Sequence, residues 1–259
     1  MAWKEPYCYG GTRAKDKALV EKTAGKGSTQ LSPFMPRHAL QALCLFLSVW
    51  AAACTQGCAA RPTDFFQLVR GATESQVRET IRNGADVNAR AGAGFTPLMA
   101  AASDNRRPEV ILALLQAGAE LDAWDDLSMT ALNWAAAHNQ NPEVIAALIK
   151  AGADLESRDI GGDTPLMFAA RYNPNVEVFG VLLGAGADLT AEDHTGETAL
   201  SLAARYNGPA VLSALLRAGA DAKAKDALGM NAFDWSRGNA RLTGSAVLRQ
   251  LQAACSPIN

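Results

Sequence analysis

Between Asp159 and Glu192 the apolar positions fall into two groups separated by a polar turn: Leu166, Met167, Phe168, Ala169 and Ala170, then Val178, Phe179, Leu182 and Leu183. The second group recurs at helical spacing, which predicts a short helix with one apolar side. The first group follows Thr164 and Pro165. A threonine hydroxyl can cap a helix and a proline at the first helical position loses no needed N–H, so a helix is predicted to begin at Pro165. Ala169 and Ala170 are strong helix formers, small enough for another helix to approach closely. Gly186 supplies the left-handed residue that ends the second helix. One hairpin of two short helices cannot cover its own apolar surface and requires copies of itself on both sides.

The copies are present. Thr96-Pro97-Leu98, Thr130-Ala131-Leu132, Thr164-Pro165-Leu166 and Thr198-Ala199-Leu200 are spaced 34 residues apart, and Asn231-Ala232-Phe233 follows after 33. Gly84, Gly118, Gly152, Gly186 and Gly219 keep the same step, each followed by alanine and an acidic residue. Two marks in phase over five units define a solenoid. The pattern Asp-x-x-Gly-x-Thr-Pro-Leu-x-x-Ala-Ala, then Glu-Val-x-x-x-Leu-Leu-x-x-Gly-Ala-Asp, resembles the ankyrin repeat, a β-turn plus two helices. The resemblance covers roughly Thr63 to Ala254. It implies an all-α solenoid of helix-turn-helix units joined by β-hairpin-like turns, about six units over residues 63–255 including caps.

The end units differ as caps should. Gln76, Arg78, Glu79 and Thr80 are polar in the first unit, and Arg249, Gln250 and Gln252 alternate with Val247, Leu248 and Leu251 in the last. The loop from Arg237 to Gly244 is expected to be longer and looser than the others. Three departures from the family pattern carry consequences. Met99, Asn133, Met167, Ser201 and Asp234 replace the usual histidine after Thr-Pro-Leu, so its hydrogen bonds cannot be carried over. Ser128 stands at the hairpin glycine position, where a positive φ costs about 1–3 kcal/mol, so that turn is expected to differ in shape. Several middle units carry an extra residue between their helices, at Asn105 to Pro108, Asn139 to Pro142 and Asn173 to Asn175.

Charge separates the chain into two parts. Residues 1–60 hold seven Lys or Arg against three Asp or Glu, whereas residues 61–259 hold 17 against 23. An acidic repeat array argues against binding nucleic acid, which needs clustered cations. Residues 1–34 show no sustained period and are expected to form no packed structure, or to precede a true translation start at Met35. Gly25-Lys26-Gly27-Ser28 lacks the preceding strand and the residue order of a phosphate loop, and is read as flexible tail. Residues 35–54 have the three parts of an export signal: the basic start Met35-Pro36-Arg37-His38, an apolar run from Ala39 to Ala53, and small residues ending at Cys54. A membrane span needs about 20 apolar residues, more than this run has. The ending resembles the lipobox of bacterial lipoproteins, with Ala51 where leucine is usual, and implies lipidation at Cys54. Residues 55–62 are then a short linker. The alternative is an uncleaved hydrophobic helix on a cytoplasmic scaffold.

Cysteine and histidine usage adds little chemistry. With repeats stepping by about 10 Å, Cys58 and Cys255 would lie on the order of 50 Å apart, beyond bridging distance. The three histidines form no metal or nucleophile motif, so no active site, metal or cofactor is expected. Binding remains. The resemblance implies a protein partner gripped by the hairpin tips and first helices on the concave side. That maps onto tip residues Phe95, Leu127, Met129, Ile160, His194 and Leu228, and onto helix ends at His138, Arg171, Tyr172, Arg205 and Tyr206. The Arg-Tyr pair repeats after 34 residues, placing on neighbouring rungs two residue types enriched at interface hot spots. The other reading of these pairs is local stacking over the inter-helix loops. Trp134, Phe168 and Trp235 fall where the family has core leucine and are expected in the core. The resulting expectation is a monomeric scaffold, lipid-anchored in a bacterial envelope and binding or shielding a periplasmic protein. An immunity or inhibitor protein that neutralises a toxic enzyme is the narrower alternative.

Overall fold

A computed structural model of the chain describes residues 62–255, so the readings of residues 1–61, Cys54 among them, lie outside the described residues. Twelve α-helices follow in six pairs. The first helices of the pairs are α1 (Pro62–Gly71), α3 (Pro97–Asp104), α5 (Ala131–His138), α7 (Pro165–Tyr172), α9 (Ala199–Tyr206) and α11 (Ala232–Ser236). Their partners are α2 (Glu74–Arg82), α4 (Pro108–Gln116), α6 (Pro142–Lys150), α8 (Val176–Gly184), α10 (Pro209–Arg217) and α12 (Ala246–Cys255). Among the described residues there is no strand, only an isolated antiparallel bridge between Glu192 and Thr198. The fold is therefore an all-helical repeat solenoid.

First helices stack on first helices because their buried sides are alanine. Ala100 to Ala102, Ala135 to Ala137, Ala169, Ala170, Ala203 and Ala204 are all buried, which lets the backbones pack closely. Second helices bring the bulk: Val110, Ile111 and Leu114 recur as Val144, Ile145 and Leu148, as Val178, Phe179 and Leu182, and as Val211, Leu212 and Leu215. Full burial of each such side chain contributes about 1.5–3 kcal/mol.

Each helix starts as its residues dictate. Thr96, Thr130, Thr164 and Thr198 accept from the backbone N–H three positions on. The residues standing in for the family histidine complete the cap in the other direction. Asn133 Oδ1 accepts from Thr130 N at 2.9 Å, Ser201 Oγ from Thr198 N at 2.8 Å and Asp234 Oδ2 from Asn231 N at 3.1 Å, with the sulfurs of Met99 and Met167 as weaker acceptors. Different side chains thus supply the reciprocal half of a capping box at this position.

An asparagine ladder ties the units together. Asn105, Asn139, Asn173, Asn207 and Asn239 are buried, one at the end of each first helix from α3 onward. Each side-chain amide donates to two carbonyls of the preceding unit, as Asn139 does to Ala102 O (2.8 Å) and Asn105 O (2.9 Å). The last carbonyls of a helix have no intrahelical donor, and here the next unit provides one.

The tips form a second ladder. Asp125, Asp159, Asp193 and Asp226 each accept through Oδ1 from the backbone two and four residues on, closing the hairpin. Successive tips then bond to each other, through Ile160 N to Leu127 O (3.0 Å) and His194 N to Gly161 O (2.9 Å). At Gly162, φ +84, a Cβ would stand 2.8 Å from the His194 ring, so this approach requires glycine. Ser128 keeps the same turn at φ 61 instead of changing its shape, contrary to the sequence expectation, because Asp125 and the neighbouring tip hold it there. The loop after α11 also differs from expectation. Asn239 and the fully buried Leu242 secure it around a short 3-10 turn, Ala240–Leu242.

Candidate functional site

The side of the array formed by first helices and tips carries a continuous run of rings and guanidiniums. Arg70 lies 5.9 Å over Phe95, which meets Trp134 edge-on at 5.1 Å. Trp134 contacts His138 at 5.5 Å, and His138 stacks on Tyr172 at 6.1 Å. Tyr172 also stacks on Phe168 at 6.3 Å. From there Arg171 reaches over Tyr206 at 5.7 Å, and Arg205 lies between Tyr206 (5.0 Å) and Trp235 (4.2 Å). Guanidinium over ring contributes about 0.5–1 kcal/mol at exposed sites, enough to order these side chains.

Carboxylates on the tips orient the run from behind. Asp125 and Asp226 use their second oxygen to accept from the indole N–H of Trp134 (2.9 Å) and Trp235 (2.8 Å). Arg171 bonds both oxygens of Asp163, at 3.1 and 3.0 Å, and lies 3.8 Å from Asp193. Arg205 pairs with Glu197 at 3.4 Å. Burial raises the Asp163 and Glu197 carboxyls above their ordinary values, with Arg171 and Arg205 opposing. Burial works against the Arg171 charge, yet Asp163 and the two tyrosines together leave its pKa raised. Burial also raises the Tyr172 phenol, against Arg171, so Tyr172 presents a neutral hydroxyl at neutral pH. Desolvation by the adjoining Trp134 and Tyr172 rings lowers the His138 pKa, with Asp104 opposing, although the side chain keeps an exposed edge, so this rung is uncharged at pH 7.

The expected contact residues divide. Tyr172 and Tyr206 stack locally and still leave 52% and 37% of their surface open. Leu127, Ile160, His194 and Leu228 project from the tips, with Trp124 exposed beside them. His138 and Arg205 are exposed, and Phe95 and Arg171 are half-buried. Met129 is a correction: at 5% exposure it belongs to the core, because its position, next to the capping Thr130, points inward. Trp134 and Trp235 correct the other way. Phe168 is buried as expected, but the two tryptophans are half-buried, each indole bonded to the tip carboxylate, Asp125 or Asp226, nine residues before it. That shared Asp-to-Trp spacing was the available signal. Among the described residues no three metal-ligating side chains gather, and no helix is long and apolar enough to cross a membrane.

No curated protein matches the sequence. A family model described as ankyrin repeats (3 copies) matches residues 66–159 and 137–226, more than half of the chain. Repeat period, paired helices and family model agree, and the chain belongs to the ankyrin-repeat family, whose arrays are generally non-enzymatic protein-binding scaffolds.

Proposed function

We propose that this protein is an envelope scaffold, anchored through an acylated Cys54, that grips a periplasmic protein with the ring-and-guanidinium run on its first helices. The observation that carries the binding half is that Tyr172 and Tyr206 remain open to solvent while stacked and hydrogen-bonded neighbours hold them in place. A side chain ordered before binding loses less rotamer entropy on contact, which is what an interface hot spot requires. The anchoring half is supported by the basic start at Met35, the apolar run and the small residues before Cys54. Seven residues between Cys54 and α1, at about 3.4 Å each, would keep the array within roughly 24 Å of the bilayer, so the partner is a membrane-proximal protein.

Two experiments test the two halves separately. Tyr172→Ala combined with Tyr206→Ala should leave the melting temperature within a few degrees and abolish cross-linked recovery of the partner from envelope extracts. Undiminished recovery removes the Arg-Tyr rungs from the binding face. Wild-type protein should incorporate a fatty-acid analogue in a bacterial host and Cys54→Ser should not; an unlabelled wild type ends the anchoring proposal.

A further inference from the structure

The spacing of the asparagine ladder shortens once. Asn105, Asn139, Asn173 and Asn207 are 34 residues apart, but Asn239 follows after 32. Part of that difference lies just after α9, where Asn207-Gly208-Pro209 replaces the longer Asn173-Pro174-Asn175-Val176 of the unit before. In the earlier units Asn141 and Asn175 cap the second helix and reach back to the preceding loop, at Arg106 O (2.7 Å) and Gln140 O (2.8 Å). Gly208 holds the capping position in the shortened loop and has no side chain to do either. An open cleft of about 360 Å³ lies there, between the loops of two successive units.

Its lining combines three chemistries. Pro174 and Ala210 give exposed apolar surface, Tyr172 and Tyr206 give ring faces with phenol hydroxyls, and Arg171 and Arg241 give positive charge. Asp163 already balances Arg171. Arg241 is exposed, is tied by one N–H to Tyr206 O at 2.9 Å, and makes no ion pair with a carboxylate among the described residues. In an array with 17 basic and 23 acidic residues, the cleft therefore presents an uncompensated cation beside apolar and aromatic walls. At the small end of ligand-pocket volumes and open to solvent, it has room for a side chain and its neighbours. It also shares Tyr172 and Tyr206 with the ring-and-guanidinium run.

We infer that this cleft receives a segment of the protein partner that places one aromatic side chain against Pro174 and Ala210 and a single flanking carboxylate on Arg241. The inference rests on the protein-binding reading above and names the chemistry of one part of the partner. A polyanion is the poorer fit, since the surrounding array repels it.

The probe is an amide-capped, fluorescein-labelled pentapeptide, one phenylalanine followed by one glutamate and otherwise glycine, compared with its glutamine counterpart by anisotropy on the full chain. At about 20 mM salt, where screening is weak, the glutamate peptide should bind at least about tenfold more tightly than the glutamine peptide. Arg241→Gln should remove most of that difference. Arg82→Gln, at a separate cleft on α2, should leave it intact. Gly208→Asn is the variant that keeps the fold: φ is −96° and a Cβ there meets nothing within 4 Å, so it restores a cap while filling the cleft. It should weaken the glutamate peptide about tenfold without lowering the melting temperature. Equal binding of the two peptides, no binding of either, or an affinity untouched by both Arg241→Gln and Gly208→Asn overturns the inference. Each of these results is separable from failure of the binding face, which the tyrosine double variant reads by partner recovery alone.

Discussion

Asn173→Ala removes the middle rung of the asparagine ladder. In the native chain its amide donates to Ala136 O at 3.0 Å and Asn139 O at 2.8 Å, and its Oδ1 accepts from Asn175 N at 3.0 Å and, at a longer 3.3 Å, from Gln140 Nε2. The side chain is 0% exposed, so water cannot take over without opening the interface between two units. The three shorter hydrogen bonds at about 1 kcal/mol net each, with Ala136 O left as an unsatisfied carbonyl at the end of α5, put the cost at about 3–4 kcal/mol. Asn88 provides the control. It makes the same kind of bridge, donating to Gly118 O and accepting from Glu120 N, both at 2.9 Å, but at the exposed edge, where water substitutes. Asn88→Ala should cost less than about 1 kcal/mol. Urea unfolding followed by far-UV circular dichroism at pH 7 measures both. In a solenoid the loss falls on one interface, so the Asn173→Ala transition should also broaden as the two halves uncouple. A cost below about 1 kcal/mol, or one equal to that of Asn88→Ala, would refute the burial argument.

Two further predictions concern single positions. Ser128→Gly should stabilise the protein by about 1 kcal/mol, because relief at φ 61 outweighs glycine's greater freedom in the unfolded chain; a lower urea midpoint contradicts this. His138 resists protonation in the folded state, so its contribution to stability is complete above the ordinary histidine value near 6.5 and is lost as pH falls below it. His138→Gln should therefore flatten the decline in urea midpoint between about pH 7 and pH 5.5, and an unchanged slope would place the titrating group elsewhere.

What the sequence made legible was local. Thr164 and Pro165 start a helix wherever they occur, and Gly186 ends one, so period, helix pairs and caps could be read from short windows. The asparagine ladder could not. An asparagine after a helix reads as a polar loop residue, and its burial comes from carbonyls up to 37 residues earlier, such as Ala136 for Asn173. Trp134 and Trp235 misled for a related reason. Their positions are those of core leucine, but indole carries an N–H that Asp125 and Asp226 accept, which holds the rings at the surface. Met129 misled in reverse, since tip loops are mostly exposed and only its seat before Thr130 turns it inward. The cleft at Gly208 was visible only as a shortened loop, because its meaning depends on what Asn175 does one unit earlier.

The most direct test of the binding account is site-specific photo-cross-linking in cells of the native organism. A photoreactive amino acid is placed at Tyr172 on the first-helix side, or at Leu112 on α4, which is also exposed, at 43% against 52%. The account expects a discrete protein adduct from position 172 and none from position 112. Adducts of equal yield from both positions, or from position 112 alone, would contradict it.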